Sequence, residues 1–123
     1  MRKAGRATTC IVVLALLGAG CGQPAPAMVS GGDPKQGAML LSAHGCGNCH
    51  TIPGVSGAGG TIGPPLTGFA RRVYIAGKLP NRLENLVRWI RDPQGIEPGT
   101  AMPNLVVNEA EALAMAAYLY TLR

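Results

Sequence analysis

Two thiols and an imidazole stand within five residues at Cys46-Gly47-Asn48-Cys49-His50, a Cys-x-x-Cys-His pentapeptide. On a single helical turn, cysteines three apart present their sulfurs to the two vinyl edges of a porphyrin, and the adjacent histidine points its imidazole at the iron. The same thiols would also serve a redox dithiol or half of a zinc site. A thioredoxin-like dithiol belongs in a βαβ setting, which this chain lacks, and zinc requires a second ligand pair. The other cysteines, Cys10 and Cys21, fall in an N-terminal leader. The pentapeptide therefore predicts one covalently bound haem c, with thioethers at Cys46 and Cys49 and an iron ligand at His50.

The iron needs a partner on its other face. Ferrous haem favours a soft, neutral thioether, and a His/Met pair raises the reduction potential relative to two nitrogen ligands. Of the five methionines, Met1 leaves with the leader and Met28 lies in a tether. Met39 and Met115 fall in helical segments, where core packing is the expectation. Met102 differs, because Ile96-Glu97-Pro98-Gly99-Thr100-Ala101-Met102-Pro103 is a rigid loop on which a side chain can be fixed across the haem from His50. His44, two residues before Cys46 at a helix end, cannot easily reach that face. A surface position at the helix C-terminus, favourable for an imidazolium, suits it better.

Three segments that must position these groups open with an Asx residue followed three positions later by Glu or Gln, in the manner of a capping box. They are Asp33 with Gln36, Asn81 with Glu84, and Asn108 with Glu111. In the first, Pro34 takes the first helical position, Gly37, Leu40 and Leu41 share a face, and Gly45 ends the helix just before the pentapeptide. In the second, Leu83, Leu86, Val87 and Ile90 recur at helical spacing until Asp92-Pro93. The third runs through Met115, Tyr118, Leu119 and Leu122. Residues 53–68, rich in Gly and Pro, predict a long loop, and no segment alternates convincingly with period two. The expectation is an all-α domain over residues 33–123, with three or more helices wrapped around one haem. Aromatic residues are few, so the porphyrin itself must supply apolar bulk to a thin core.

Ahead of that domain, Arg2, Lys3 and Arg6 precede an apolar run from Cys10 to Leu17 and the small residues Gly18-Ala19-Gly20. The run is shorter than the roughly 20 apolar residues a membrane span requires, so residues 1–21 read as a secretory signal. Leu16-Leu17-Gly18-Ala19-Gly20-Cys21 resembles the bacterial lipobox, with Gly18 where a bulky aliphatic residue is usual. That resemblance implies a lipidated Cys21 and a protein exported to the periplasm or the outer face of a bacterial membrane. Residues 22–32, rich in Gly, Pro, Ala and Ser, read as a flexible linker. The formal charge of +5 belongs to the precursor; residues 22–123 keep eight basic and six acidic residues, a net of +2. Basicity is thus no sign of a nucleic-acid partner. What remains is local, with Arg71, Arg72, Lys78, Arg82, Arg88 and Arg91 forming either a solvated face or a patch facing a partner or a propionate.

From residue 33 to 123 the chain resembles the class I cytochromes c. Besides the pentapeptide, Gly63-Pro64-Pro65-Leu66 is similar to the family's Gly-Pro-x-Leu, and the resemblance implies that the Pro64 carbonyl holds the His50 imidazole N–H. Pro98-Gly99-Thr100-Ala101-Met102 is similar to Pro-Gly-Thr-x-Met, which implies Met102 as the distal ligand and Thr100 as a propionate-side hydroxyl. Gly37 and Tyr118 match the small and aromatic residues where the first and last helices cross. Trp89 stands where many members carry a tyrosine, and Leu41 where many carry an aromatic residue. The family's propionate-binding tryptophan has no clear match; Arg72, Tyr74 or Arg71 would take that task, and Trp89 would wall the pocket.

With both axial positions filled, one-electron exchange is the chemistry left to the iron. The resemblance therefore implies a monohaem electron carrier, not an enzyme, working between respiratory donor and acceptor proteins. The stretch from Leu86 to Pro93, leading to Pro98-Gly99 and Met102-Pro103, resembles cytochrome c domains linked to heme-copper oxidases, so a terminal oxidase is the implied neighbour. A haem-based gas sensor or small peroxidase is the alternative, and it would need an exchangeable sixth ligand.

Overall fold

A computed structural model describes residues 30–123. The signal read over residues 1–21, its Cys21, and linker residues 22–29 lie outside the described residues. The frame is set by two helices. Helix α1 (Pro34–Ala43) starts where the Asp33 carboxylate accepts the Lys35 N–H at 2.9 Å, with Pro34 in the first turn, where no donor is needed. Gly45, in the left-handed region at φ 69°, ends it, and the pentapeptide follows at once in a 3-10 turn, Cys46–Asn48.

The last helix starts more firmly. The Asn108 side chain accepts the Glu111 N–H and the Glu111 carboxylate accepts the Asn108 N–H, both at 2.9 Å, closing the expected capping box ahead of Glu109–Leu119. This helix crosses α1 at Gly37, where a Cβ would run into the Ala114 carbonyl and the Tyr118 Cβ. Only glycine lets the backbones approach so closely. Gly32 already lies against Leu113 and Ala117, so packing begins before Asp33.

Between the two helices come the loop over residues 53–68, a 3-10 turn at Phe69–Arg71, and an antiparallel hairpin of β1 (Tyr74–Ile75) and β2 (Leu79–Pro80). Then follow α2 (Leu83–Arg91) and a one-turn α3 (Pro93–Ile96), which makes Glu109–Leu119 α4. Helix α2 delivers Leu86, Val87, Trp89 and Ile90 to a core shared with Leu41, Ile52, Phe69, Ile75 and a fully buried Met115. Among the described residues no polar or charged side chain is buried.

Several expectations are corrected by the structure. Asn81 does not cap α2, which begins behind Arg82 with no side-chain cap. Its amide is engaged elsewhere: Nδ2 donates to the Phe69 and Arg72 carbonyls at 3.1 and 2.9 Å, and Oδ1 accepts the Tyr120 hydroxyl at 2.8 Å. Met39 is not a core residue but 65% exposed, because the buried face of α1 carries Gly37 and Leu41, and position 39 points away from both. Asp92-Pro93 ends α2 and also opens α3, the Asp92 carboxylate accepting the Gly95 N–H at 2.9 Å. Leu122 lies beyond α4, where its carbonyl accepts the Ala70 N–H at 2.9 Å. The hairpin escapes pattern reading because its strands are two residues long and its turn places Ala76, with no sequence cue, at φ 50°.

Asn81→Ala should leave two carbonyls and a hydroxyl without their partner and destabilise the protein by about 2–4 kcal/mol. A urea unfolding midpoint equal to wild type would show that the hub carries no stability. Tyr120 adds a pH dependence: burial, and secondarily the Glu84 carboxylate, push its phenol above the usual tyrosine value. The folded state thus binds this proton more tightly than the unfolded chain. Its contribution is complete below about pH 10 and is lost as pH rises through the folded value. Tyr120→Phe should flatten the alkaline fall in melting temperature; an unchanged slope would exclude this phenol as its source.

Candidate haem site

Helix α1 ends so that its next turn can present both thiols and the imidazole. The His50 and Cys49 N–H groups donate back to the Cys46 carbonyl at 2.9 and 3.2 Å, which winds the pentapeptide into one turn. Cys46 and Cys49 are free and half-buried. Burial pushes the Cys46 thiol up and the neighbouring Cys49 adds to this, against a smaller opposing effect of the Cys46 backbone N–H. A redox dithiol needs the reverse, a thiol held low so that thiolate attacks at neutral pH. Among the described residues, no group of three or more His, Cys, Asp or Glu side chains gathers as a metal cluster would require.

The loop after the pentapeptide is laced to it from end to end. Gly60 N–H donates to the Gly47 carbonyl at 2.9 Å, Gly63 N–H to Cys49 at 2.8 Å, and Leu66 N–H to Thr51 at 2.8 Å. The Thr51 hydroxyl adds a bond to the Gly60 carbonyl at 3.1 Å. This lacing brings the Pro64 carbonyl to 2.7 Å from His50 Nδ1. A carbonyl only accepts, so Nδ1 carries the proton and the Nε2 lone pair is free. Gly63 backs the same ring so closely that a Cβ would lie 2.7 Å from Nδ1 and 2.9 Å from Nε2. An imidazole with one nitrogen saturated, the other bare and its ring clamped is the donor that a haem iron takes.

Trp89 is buried at 9% exposure, and Met102 is half-buried against the core. The loop carrying Met102 is held from within by Gln94. Its Nε2 donates to the Thr100 and Met102 carbonyls at 2.6 and 2.8 Å, and its Oε1 accepts the Gly99 N–H at 3.1 Å. The Thr100 hydroxyl makes no hydrogen bond among the described residues, leaving it available. Leu66 packs half-buried against the core.

Other sequence candidates stand apart. Arg72 donates to the Pro65 carbonyl and, at 3.4 Å, to that of Thr67, with its guanidinium 5.3 Å from the Phe69 ring centre. It braces the loop that carries Pro64. Tyr74 is 56% exposed on β1. His44 is the C-cap residue of α1. Within the basic cluster, Lys78 pairs with Glu97 at 3.2 Å and Arg91 with Glu109 at 3.7 Å, both at exposed positions where ion pairs contribute little. Sequence reasoning missed Gln94 and also Asn104, whose amide donates to Asp92 at 2.9 Å and accepts the Gln94 N–H at 3.0 Å. Neither residue belongs to a local motif; Asp92-Pro93, read only as the end of α2, was the one nearby signal, since an Asp before a Pro can also open a helix.

A helical shell holding a Cys-x-x-Cys-His turn and a clamped imidazole defines a c-type cytochrome. The cytochrome c family model matches residues 34–123, and the chain belongs to that family as a class I member, carrying covalently bound haem c and its iron. It is 40% identical over 90 residues to cytochrome c oxidase subunit 2 of Alkalihalophilus pseudofirmus, a match covering 72% of this chain and 25% of that protein. With cytochrome c oxidase subunit 2 of Bacillus subtilis it shares 34% identity over 85 residues, covering 64% of this chain and 24% of that one. The chain thus spans about a quarter of the length of these relatives. Cytochrome c2 of Rhodobacter sphaeroides shares the fold, with a TM-score of 0.57 at 24% identity, covering 74% of this chain and 96% of that one.

Gly63→Val should force the His50 ring off the Pro64 carbonyl. We expect covalent haem per polypeptide, read from in-gel haem stain and absorbance, to fall several-fold against wild type. Full incorporation with an unaltered spectrum would mean that the clamp on His50 is dispensable.

Proposed function

We propose that this chain is a monohaem carrier of single electrons in a respiratory chain, passing them to or within a terminal oxidase. The observation that carries the reading is the pairing of a clamped His50 with a Met102 held on an internally bonded loop. Cys46 and Cys49 would anchor the haem through thioethers, and His50 and Met102 would hold its iron. Bound haem c supplies reversible one-electron exchange between ferric and ferrous iron. The protein's part is to hold both ligands through each change of charge, to keep water and small molecules off the metal, and to wall the pocket with Trp89 and Leu66. The Thr100 hydroxyl, unbonded among the described residues, would be available to a propionate; Tyr74 and Arg72 are further candidates for that task, Arg72 only by leaving its loop carbonyls.

Its partners are a respiratory donor and an acceptor. Similarity to a quarter of several cytochrome c oxidase subunits 2 supports a heme-copper oxidase as that neighbour. The signal over residues 1–21 and the lipobox at Cys21 support an exported protein, lipid-anchored at the outer face of a bacterial membrane, where confinement raises its effective concentration near membrane partners. A sensor or peroxidase needs a sixth position that opens readily, and the bonds from Gln94 to the Met102 loop count against one.

Met102→Ala should abolish the near-red charge-transfer band of methionine-bound ferric haem and lower the reduction potential; an unchanged spectrum and potential would assign the sixth ligand elsewhere. Cys49→Ser should reduce covalent haem to a small fraction of wild type, whereas normal yield would contradict attachment at two thioethers. Cys21→Ser should shift the protein from the membrane fraction to the soluble one. Retention of this variant on membranes would exclude a lipid at Cys21 as the anchor.

A further inference from the structure

We propose that Gln94 is the positioning residue that keeps Met102 at its post, acting as a neutral buckle across the ligand loop; this rests on the reading of Met102 as the axial ligand. Both ends of the side chain are fixed. Its root lies in the first turn of α3, where Pro93 is buried, the Asp92 carboxylate accepts the Gly95 N–H, and Asn104 accepts the Gln94 N–H at 3.0 Å. Asn104 also donates to Asp92 at 2.9 Å, so the two ends of the loop, residues 92 and 104, are joined across its neck. The tip of Gln94 then reaches into the loop and uses both functions of one amide. It donates to the Thr100 and Met102 carbonyls and accepts from Gly99, whose φ of 85° makes the turn that brings these three groups to one point.

The bond to Met102 separates this from ordinary loop packing. It fixes the backbone of the ligand residue itself, and so the origin from which the thioether projects. For the sulfur to leave, the loop must either break these bonds together or swing as a rigid body against the Asp92–Asn104 neck. The amide suits the task because it is uncharged and both donates and accepts. A glutamate would keep the acceptor for Gly99 but set a negative oxygen against two carbonyls.

The test uses the haem-loaded protein. The ferric wild type should show the near-red methionine band, and at saturating imidazole the rate of ligand replacement then reports loop opening. Losing the two donated bonds in Gln94→Leu or Gln94→Glu should speed replacement roughly 5- to 30-fold and lower the reduction potential, with Asn104→Ala in the same direction but weaker. In wild type, Gly99 N–H should exchange with deuterium more slowly than Ala101 N–H, a reading that needs no variant. Replacement rates and potentials equal to wild type in both Gln94 variants would overturn the proposal. If neither variant loads haem, Gly99 exchanging as fast as Ala101 would overturn it, and slower Gly99 exchange would support it. Absence of the methionine band in wild type would sink the ligand reading itself, a separate failure.

Discussion

A hydrogen bond of 2.7 Å from His50 Nδ1 to the Pro64 carbonyl ties the imidazole of the Cys-x-x-Cys-His turn to a loop that has no regular structure of its own. The loop holds that carbonyl in place because Gly60, Gly63 and Leu66 donate back to Gly47, Cys49 and Thr51, and Ile52, Val55 and Ala58 are bonded among themselves. Glycine is needed at position 63 because the ring and the backbone share one space. Arg72 braces the far side through Pro65 and Thr67. A surface segment rich in Gly and Pro would ordinarily be among the least ordered parts of a small domain; here its hydrogen bonds make it the wall of the site.

The helices serve that wall. The crossing of α1 and α4 at Gly37 sets the position from which the pentapeptide departs, and α2 closes the core with Leu86, Trp89 and Ile90. Tyr118 links the two systems, its hydroxyl donating to the Pro53 carbonyl at 2.6 Å where the loop begins. Asn81 does the same on the other side, joining the Phe69 turn, the hairpin and the C-terminal Tyr120 through one amide. In a domain of this size, with one tryptophan and one phenylalanine, burial alone leaves a small margin. Such polar staples and the covalent cofactor add to it.

Legibility in the sequence followed the range of the interactions. Cys46, Cys49 and His50 were readable because thioether attachment imposes a fixed local spacing. Asp33-Pro34, Gly45 and the Asn108/Glu111 pair were readable because caps act within one turn. Met102 stood out among the methionines by its Pro-flanked loop, but the part of Pro64 needed resemblance to a known family, since nothing within the chain couples positions 50 and 64 until it folds. Asn81 misled because an Asx residue before a helix has the same appearance whether its amide turns inward to the helix or outward to distant carbonyls. Gln94 was invisible for a related reason: its partners at 99, 100 and 102 are close in sequence, but they converge only through the φ of Gly99.

The clamped imidazole, the internally bonded methionine loop and the two thiols fit the proposed site, one that keeps its coordination unchanged while an electron comes and goes. The most direct measurement is an absorption spectrum of the purified, dithionite-reduced protein before and after carbon monoxide. Bands that stay in place would mean that the protein itself fills both axial positions, as the His50/Met102 reading and an electron carrier require. A shifted Soret band would mean an exchangeable sixth ligand, contradict the carrier reading, and move gas sensing or peroxide chemistry to the front.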